Sequence, residues 1–199
     1  VPFALRGPAT DRVDFTLCVS SPLAIPAGQT SVTVPVTLSD DLLDEPSETV
    51  VLTLGAADFA DAGAQQEFVL TVEDDDATPT VGFVTASSST GEASGVLSIA
   101  LALSAPSGQE VSVTLGVGGT AAAGEDFAAP EATVVIPAGS AGASLDLSLL
   151  DDGLYEGSET IELQLQGASG ADVDASAAGH VVTVLDDDAA PEVSFVAAS

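Results

Sequence analysis

Apolar and polar residues alternate along most of this chain. The run 143–150 has leucine at positions 145, 147 and 149, and the run 160–166 has isoleucine or leucine at 161, 163 and 165. Alternation with a period of two indicates β-strands with one buried face. Glycine, proline, serine and aspartate separate the runs, as expected of turns. Within 79–190 the pattern predicts seven strands, at about 81–86, 95–103, 110–117, 132–136, 143–150, 160–166 and 180–185.

The sequence repeats itself at an interval of about 112 residues. Segment 39–49 aligns with 150–160 at a shift of 111, and Asp74–Asp76 aligns with Asp186–Asp188 at a shift of 112. The repetition predicts one complete repeat at 79–190, the C-terminal part of a preceding repeat at 1–78, and the start of a third at 191–199. Seven short strands per repeat, without helical periodicity, predict an all-β fold. We expect tandem immunoglobulin-like antiparallel β-sandwiches with about seven strands each.

The acidic residues of the complete repeat are sorted by strand order. If each connection carries the chain across the sandwich, alternate loops lie at the same end. Nine acids then gather at one end, where the last strand leads into the next repeat: Glu92, Asp126, Asp151, Asp152, Glu156, Glu159, Asp186, Asp187 and Asp188. The loops 104–109 and 137–141 at the other end carry no acid.

The overall charge narrows the possible partners. The chain has 31 acidic and 2 basic residues, a formal net charge of -29, and 46% hydrophobic residues. Such a charge excludes binding to nucleic acid and to anionic membranes. No apolar run is long enough for a membrane helix, so we expect no direct membrane insertion by this segment. Gathered carboxylates repel one another and require a cation, and an all-oxygen donor set selects a hard ion such as Ca²⁺.

Several short motifs give the repeat a family resemblance. They are the stretch 119–127 ending in Glu125-Asp126-Phe127, the turn 136–139, the acids 151–159 and the closing triplet 186–188. Together they resemble the Calx-β repeat of the regulatory loops of sodium–calcium exchangers and of bacterial surface proteins. The resemblance covers all of 79–190 and most of 1–78. It implies an immunoglobulin-like sandwich that binds several Ca²⁺ ions at the acidic end.

The resemblance also implies the individual ligands. In the complete repeat they are the nine acids together with the backbone carbonyl of Leu154. In the preceding repeat the matching positions are Asp14, Asp40, Asp41, Leu43 through its carbonyl, Glu45, Glu48, Asp74, Asp75 and Asp76. The counterpart of Glu92 would precede residue 1, so the site in this segment is expected to be incomplete. Arg12 stands where the complete repeat has a small residue, and its cation could replace one calcium there.

Catalysis is a weaker interpretation. Paired carboxylates also serve glycosidases, and carboxylate clusters hold catalytic Mg²⁺ in phosphoryl transfer. However, the chain has no lysine, no nucleophile motif and no phosphate-binding glycine loop. Its only histidine, His180, aligns with Phe68 and is therefore expected to be a packing residue. Cys18 lies in an alternating run and is expected to be buried. We expect no enzymatic activity.

The expected function is a calcium-binding structural repeat in an extracellular or bacterial cell-surface array. Ca²⁺ at the joints between neighbouring repeats would rigidify an adhesin stalk or filament. Exposed edge strands would permit lateral assembly of copies, and a surface adhesion partner is a further possible contact. The alternative is a Ca²⁺-sensing regulatory module that changes domain orientation on binding. A glycan- or protein-adhesion domain would need an aromatic platform, which 4% aromatic residues and no tryptophan do not supply.

Overall fold

The computed structural model describes residues 1–195, which divide after Asp76 into two compact units. The first unit contains β1 (Phe3–Arg6), β2 (Phe15–Leu17), β3 (Val36–Leu38), β4 (Glu48–Leu54) and β5 (Glu67–Val72). Strands β1, β4 and β5 form an antiparallel sheet in that order, and β2 pairs with β3. Phe15, Val50 and Leu52 are its buried apolar residues. The core of the first unit is therefore small.

Up to residue 195, the second unit contains nine strands and one short 3₁₀ turn, Glu92–Ser94. The strands are β6 (Thr80–Phe83), β7 (Ser87–Gly91), β8 (Val96–Leu103), β9 (Val111–Gly119), β10 (Thr133–Ile136), β11 (Gly142–Ser148), β12 (Glu159–Ser169), β13 (Asp172–Val173) and β14 (Gly179–Leu185). One sheet has the order β10-β9-β12-β14-β7, and the other has the order β11-β8-β6-β13. All pairings are antiparallel except β14 with β7 and β13 with β6.

Alternating apolar side chains fill the space between the two sheets. Ile136, Leu147 and Ile161 are fully buried, whereas neighbouring residues such as Asp146 and Glu162 face outward and are polar. This is the pattern expected when each sheet buries one face. Burial of these rows anchors the strands, and the loops at their ends are thereby held in place. The all-β prediction is confirmed for the described residues.

The strand predictions differ from the structure in three places. The predicted strand 81–86 ends at Phe83, and the chain then passes to the other sheet, where the unpredicted strand β7 begins at Ser87. Strand β12 runs on to Ser169 through a bulge between Leu165 and Gly167. The two-residue strand β13 was not predicted. Of the predicted third repeat at 191–199, residues 191–195 form no strand, and 196–199 lie outside the described residues.

Cys18 is exposed, so the prediction that it is buried is wrong. The alternation placed Cys18 in a strand, but β2 ends at Leu17. Among residues 1–195, no helix is long and apolar enough to cross a membrane.

Candidate metal centres

The nine predicted acids of the second unit lie on three connections, at the start of β12 and directly after β14. Glu92 begins the turn that follows β7, Asp126 lies in the loop between β9 and β10, and residues 151–158 connect β11 to β12. Asp186 directly follows β14. Strand β7 pairs with β14 in parallel, with Gly91 opposite Leu185, so both chains leave the sheet side by side. This register is what brings Glu92 to the aspartate triplet.

One group of carboxylates is centred on Glu92. Its oxygen lies within 4.8 Å of oxygens of Asp151 and Asp187 in one combination, and of Asp186 and Asp188 in another. Glu92 Oε1 and Asp188 Oδ2 are buried and make no hydrogen bond. Buried oxygens without a partner are costly unless a proton or a cation approaches them. This group therefore has the oxygen donors of a cation site, and two of its buried oxygens have no hydrogen-bond partner.

A second group is formed by Asp126, Glu156 and Glu159. One oxygen from each lies within 4.8 Å of the others. Asp126 Oδ2 accepts a hydrogen bond from the Ala122 N–H at 2.6 Å, which fixes this carboxylate in its loop. Burial raises the pKa of Glu159, and a hydrogen bond to Asp126 raises it further. Carboxylates this close repel each other, and a divalent cation between them would remove that repulsion.

Asp186 is fixed by the backbone. Its Oδ2 accepts hydrogen bonds from the N–H groups of Gly157 at 2.9 Å and Glu156 at 3.2 Å, and its Oδ1 accepts one from Asp188 at 3.0 Å. The bond from Gly157, followed by that from Asp188, lowers the pKa of Asp186. Asp186 therefore stays ionised and ties the loop before β12 to the end of β14.

Three other carboxyls of the second unit experience the opposite effect. Partial burial is the largest cause of the raised pKa of Glu92, Glu156 and Asp188, and neighbouring negative charges add to it. The charge of Asp152 acts on all three residues. Asp152 Oδ1 itself accepts the Leu154 N–H at 2.7 Å. Asp152 therefore influences both carboxylate groups.

The structure brings the nine predicted acids of the second unit to one end. Eight of them lie in the two grouped sets, and Asp152 interacts electrostatically with both. Leu154 was predicted as a carbonyl ligand, and the contact seen in the structure is its N–H bond to Asp152. Glu125 was not predicted as a ligand, yet its charge raises the pKa of Glu156 and Glu159. Its position beside Asp126 was the available signal.

The first unit gathers its predicted positions around one cavity. A cavity of about 60 Å³ is lined by all nine predicted positions, Asp14, Asp40, Asp41, Leu43, Glu45, Glu48, Asp74, Asp75 and Asp76, and by Glu73. Leu43 N–H donates to Asp41 Oδ1 at 2.8 Å, as Leu154 does to Asp152. Burial, followed by Asp14, raises the pKa of Glu48. The two units thus share their loop geometry as well as their sequence.

Arg12 does not enter the cluster of the first unit. Its Nε lies 3.7 Å from Asp11 Oδ2, and its side chain is 85% exposed. Its backbone has a φ of +68°, which turns the residue away from the path of its neighbours. The expectation that Arg12 could replace a cation is therefore not supported by its position.

Comparison with known proteins identifies the family. The family model described as the Calx-beta domain matches residues 5–75 and again 73–188. The chain belongs to the Calx-beta family. The resemblance predicted from the motifs is confirmed. No curated protein sequence matches this Calx-beta chain.

Solved structures show the same fold. The chain is similar to the apo form of the Calx CBD1 domain, with 23% identity and a TM-score of 0.51 over 56% of this chain and 100% of that one. It is also similar to CBD12 from CALX1.2 (23% identity, TM-score 0.50, 55% of this chain and 44% of that chain). The calcium binding domain CBD12 of CALX1.1 gives 24% identity and a TM-score of 0.50, over 54% and 46%. The predicted tandem immunoglobulin-like sandwiches are confirmed.

The donor chemistry of both Calx-beta units fits a hard divalent cation. The grouped atoms are all carboxylate oxygens, with no histidine or cysteine among them. The ion pairs of the described residues place Arg6 at Glu67 and Arg12 at Asp11, so neither arginine neutralises the grouped acids. Oxygen-only sites of this kind suit Ca²⁺ and, with stricter geometry, Mg²⁺.

Proposed function

We propose that both units of this chain are Ca²⁺-binding modules without catalytic activity. The observation that supports this best is the meeting of two carboxylate groups at one end of the second unit, with buried Glu92 and Asp188 oxygens that lack partners. The similar CBD12 of CALX1.1 is described as a calcium binding domain. The first unit would bind Ca²⁺ in the cavity lined by its matching acids.

The residues would divide the task between the two groups. Glu92, Asp151 and Asp186–Asp188 would hold one part of the site, and Asp126, Glu156 and Glu159 the other. Asp152 would be a ligand between the two groups. The carbonyl of Leu154 is proposed to complete the coordination of the ion. Bound Ca²⁺ would supply the positive charge that these carboxylates lack. Asp186, already oriented by three N–H groups, would need no rearrangement to begin coordination.

The proposed purpose of this binding is mechanical. Only three residues separate the triplet Asp74–Asp76 from β6, so a cation held by this triplet would restrain the connection from one repeat to the next. Repetition of the same acids at Asp186–Asp188 would restrain the following connection. Ca²⁺ would then stiffen an array such as an adhesin stalk or filament, outside the cell or on a bacterial surface. Neighbouring repeats would be its partners, and lateral assembly through edge strands a further one.

Calorimetric titration of the full chain with Ca²⁺ tests the binding. The variant pair Asp152→Asn with Glu156→Gln should abolish uptake by the second unit, and Asp41→Asn with Glu45→Gln should abolish uptake by the first. A matched control, Glu110→Gln with Asp172→Asn, removes the same charge away from the clusters and should bind like the unmodified chain. Unchanged uptake in the first two pairs would refute the proposal.

The affinity separates the structural role from a regulatory one. Extracellular structural modules bind Ca²⁺ with Kd on the order of 10⁻⁴–10⁻³ M, and intracellular sensors at about 10⁻⁷–10⁻⁵ M. A value in the first range, with a more extended and less variable shape in X-ray scattering when Ca²⁺ is present, supports the stiffening role. A micromolar value favours the sensing module instead.

A further inference from the structure

His180 occupies an unusual place in the core of the second unit. It lies on β14, is 1% exposed, and its ring centroid lies 5.6 Å from that of Phe83. The aligned position in the first unit is Phe68, which is 56% exposed. Packing alone would be served by an apolar ring here. Unlike phenylalanine, the imidazole also offers two ring nitrogens for hydrogen bonds.

One ring nitrogen binds the segment that joins β6 to β7, and the other binds β7 itself. Nδ1 lies 2.6 Å from the carbonyl oxygen of Thr85, and Nε2 lies 2.9 Å from the hydroxyl of Ser88. A carbonyl only accepts, so Nδ1 carries the proton and donates to Thr85. In the neutral ring Nε2 then accepts from the Ser88 hydroxyl. His180 thus holds the chain on both sides of the point where it changes sheets.

Strand β7 has little else to define its register. Its sequence is Ser-Ser-Ser-Thr-Gly, and none of its five residues is buried. It is the edge strand of its sheet and pairs there with β14, in parallel, from Val181 to Leu185. Strands without a buried apolar face are prone to slip along their partner. The side-chain anchor from His180 supplies the register that the apolar pattern does not.

Register matters because β7 ends at Glu92. A slip of two residues, the smallest that keeps the same side chains facing inward, moves the end of the strand by about 7 Å. The oxygens of Glu92 and its partners lie within 4.8 Å of one another, so such a slip removes Glu92 from the group. We propose that His180 is a positioning residue for the carboxylate site, acting through Thr85, Ser88 and the register of β7. This inference rests on the proposed Ca²⁺ function.

The register part is tested without any metal. Amide hydrogen exchange measured by NMR on the full, metal-free chain reports the β7–β14 pairing. His180→Phe keeps an aromatic ring, as at Phe68, but removes both hydrogen bonds. Ser88→Ala removes one bond, and Ser88→Thr retains the hydroxyl. We expect faster exchange of the β14 amides that face β7 in His180→Phe and Ser88→Ala, and unchanged exchange in Ser88→Thr. Unchanged exchange in all three variants overturns the proposal.

The coupling to the site is tested by following the amides of residues 91–92 and 186–188 during Ca²⁺ titration. Partners that orient metal ligands typically contribute about tenfold in affinity or more, so His180→Phe should weaken binding by about tenfold. In a Glu92→Gln background the same change should have no further effect. An equal loss in both backgrounds means that His180 acts only on stability and overturns the proposal. If the unmodified chain takes up no Ca²⁺, the proposed function fails, while hydrogen exchange still decides the register.

Discussion

Single carboxyl groups within the acidic end of the second unit have different environments. Asp186 is held by three backbone N–H groups and its pKa is lowered. Glu92 and Asp188 have buried oxygens without partners, and their pKa values are raised. Backbone N–H groups therefore stabilise the charge of Asp186, whereas a bound proton or cation would be needed to compensate those of Glu92 and Asp188.

These shifts predict a pH dependence for the metal-free chain. The pKa values of Glu92, Glu156 and Glu159 lie above the ordinary 4.5, so the folded state binds protons that the unfolded state has released. Stability should then rise as the pH falls from 7 towards about 5. Asp186 has the opposite sign, because its contribution is lost only as the pH falls through its lowered pKa. Thermal unfolding in chelator across this range measures the trend.

Saturating Ca²⁺ should reverse that trend. Protons and Ca²⁺ compete for the same oxygens, so acidification weakens binding and removes the stability that binding provides. The same unfolding series with excess Ca²⁺ provides the comparison. Parallel curves with and without Ca²⁺ would contradict a shared site.

Asp126→Asn should separate repulsion from coordination. The change removes a charge that raises the pKa of Glu159 and Glu156, so the metal-free chain should unfold at a higher temperature. It also removes a proposed ligand, so Ca²⁺ should bind at least about tenfold more weakly, equivalent to about 1.4 kcal/mol. Asp172→Asn is the matched control, because Asp172 lies on β13 outside both groups. Differential scanning fluorimetry with and without Ca²⁺ distinguishes the two effects.

At the scale of residues, the sequence predicted the positions of the loop carboxylates correctly. Aspartate and glutamate in loops that the strand order sends to one end were found, and the structure brings them together. It failed for Cys18 and Arg12, whose side-chain directions depend on where a strand ends and on a backbone φ of +68°. It missed the polar partners of His180, because Thr85 and Ser88 are far from it in sequence.

At the scale of elements, the strand ladder positions the loops. Gly119 ends β9 with a φ of +115°, and a Cβ there would lie 2.1 Å from the carbonyl oxygen of Thr160 on β12. The close approach lets Thr120 N–H bond to that carbonyl at 2.9 Å, where the loop containing Asp126 begins. The local backbone geometry of a glycine thus sets the starting point of a proposed ligand loop.

Gly119→Ala should destabilise the second unit by about 1–3 kcal/mol, since both the positive φ and the backbone contact resist a side chain. It should also weaken Ca²⁺ binding by displacing Asp126. Gly153→Ala is the control: a Cβ at Gly153 meets nothing within 4 Å, and its φ is not positive. Urea unfolding followed by calcium titration gives both quantities. Equal stability of the two variants would contradict this account.

Most strands could be predicted because their alternation is strong. The early end of the predicted strand 81–86 at Phe83 and the separate strand β7 could not be predicted, since Ser87–Gly91 carries no apolar alternation and becomes a strand only by pairing with β14. Strand β13 has two residues, which is too short for any period to register. In both cases tertiary pairing, rather than local pattern, determines the element.

At the scale of the whole molecule, the two units differ in the size of their cores. Among the described residues, the second unit buries twenty-one apolar side chains in one cluster, and the first buries three. An apolar cavity of about 310 Å³ in the first unit is lined by residues that include Phe3, Val36 and Phe68. The first unit therefore has less hydrophobic stabilisation.

Calorimetry of this chain should show two unfolding transitions, with the first unit melting at the lower temperature. Val50→Ala should shift the lower transition alone. Leu147→Ala should shift the upper one, by an amount equivalent to about 2–5 kcal/mol. A single transition displaced by both substitutions would show that the units unfold together.

Strand β7 also bears on how the chain would tolerate loss of the proposed Ca²⁺. This strand consists of serine, threonine and glycine. Its detachment would expose peptide groups and hydroxyls, which water can solvate, and few apolar side chains of its own. A segment of this composition offers little apolar surface to other chains. Repeated depletion and return of calcium should therefore leave the second unit able to recover without aggregating.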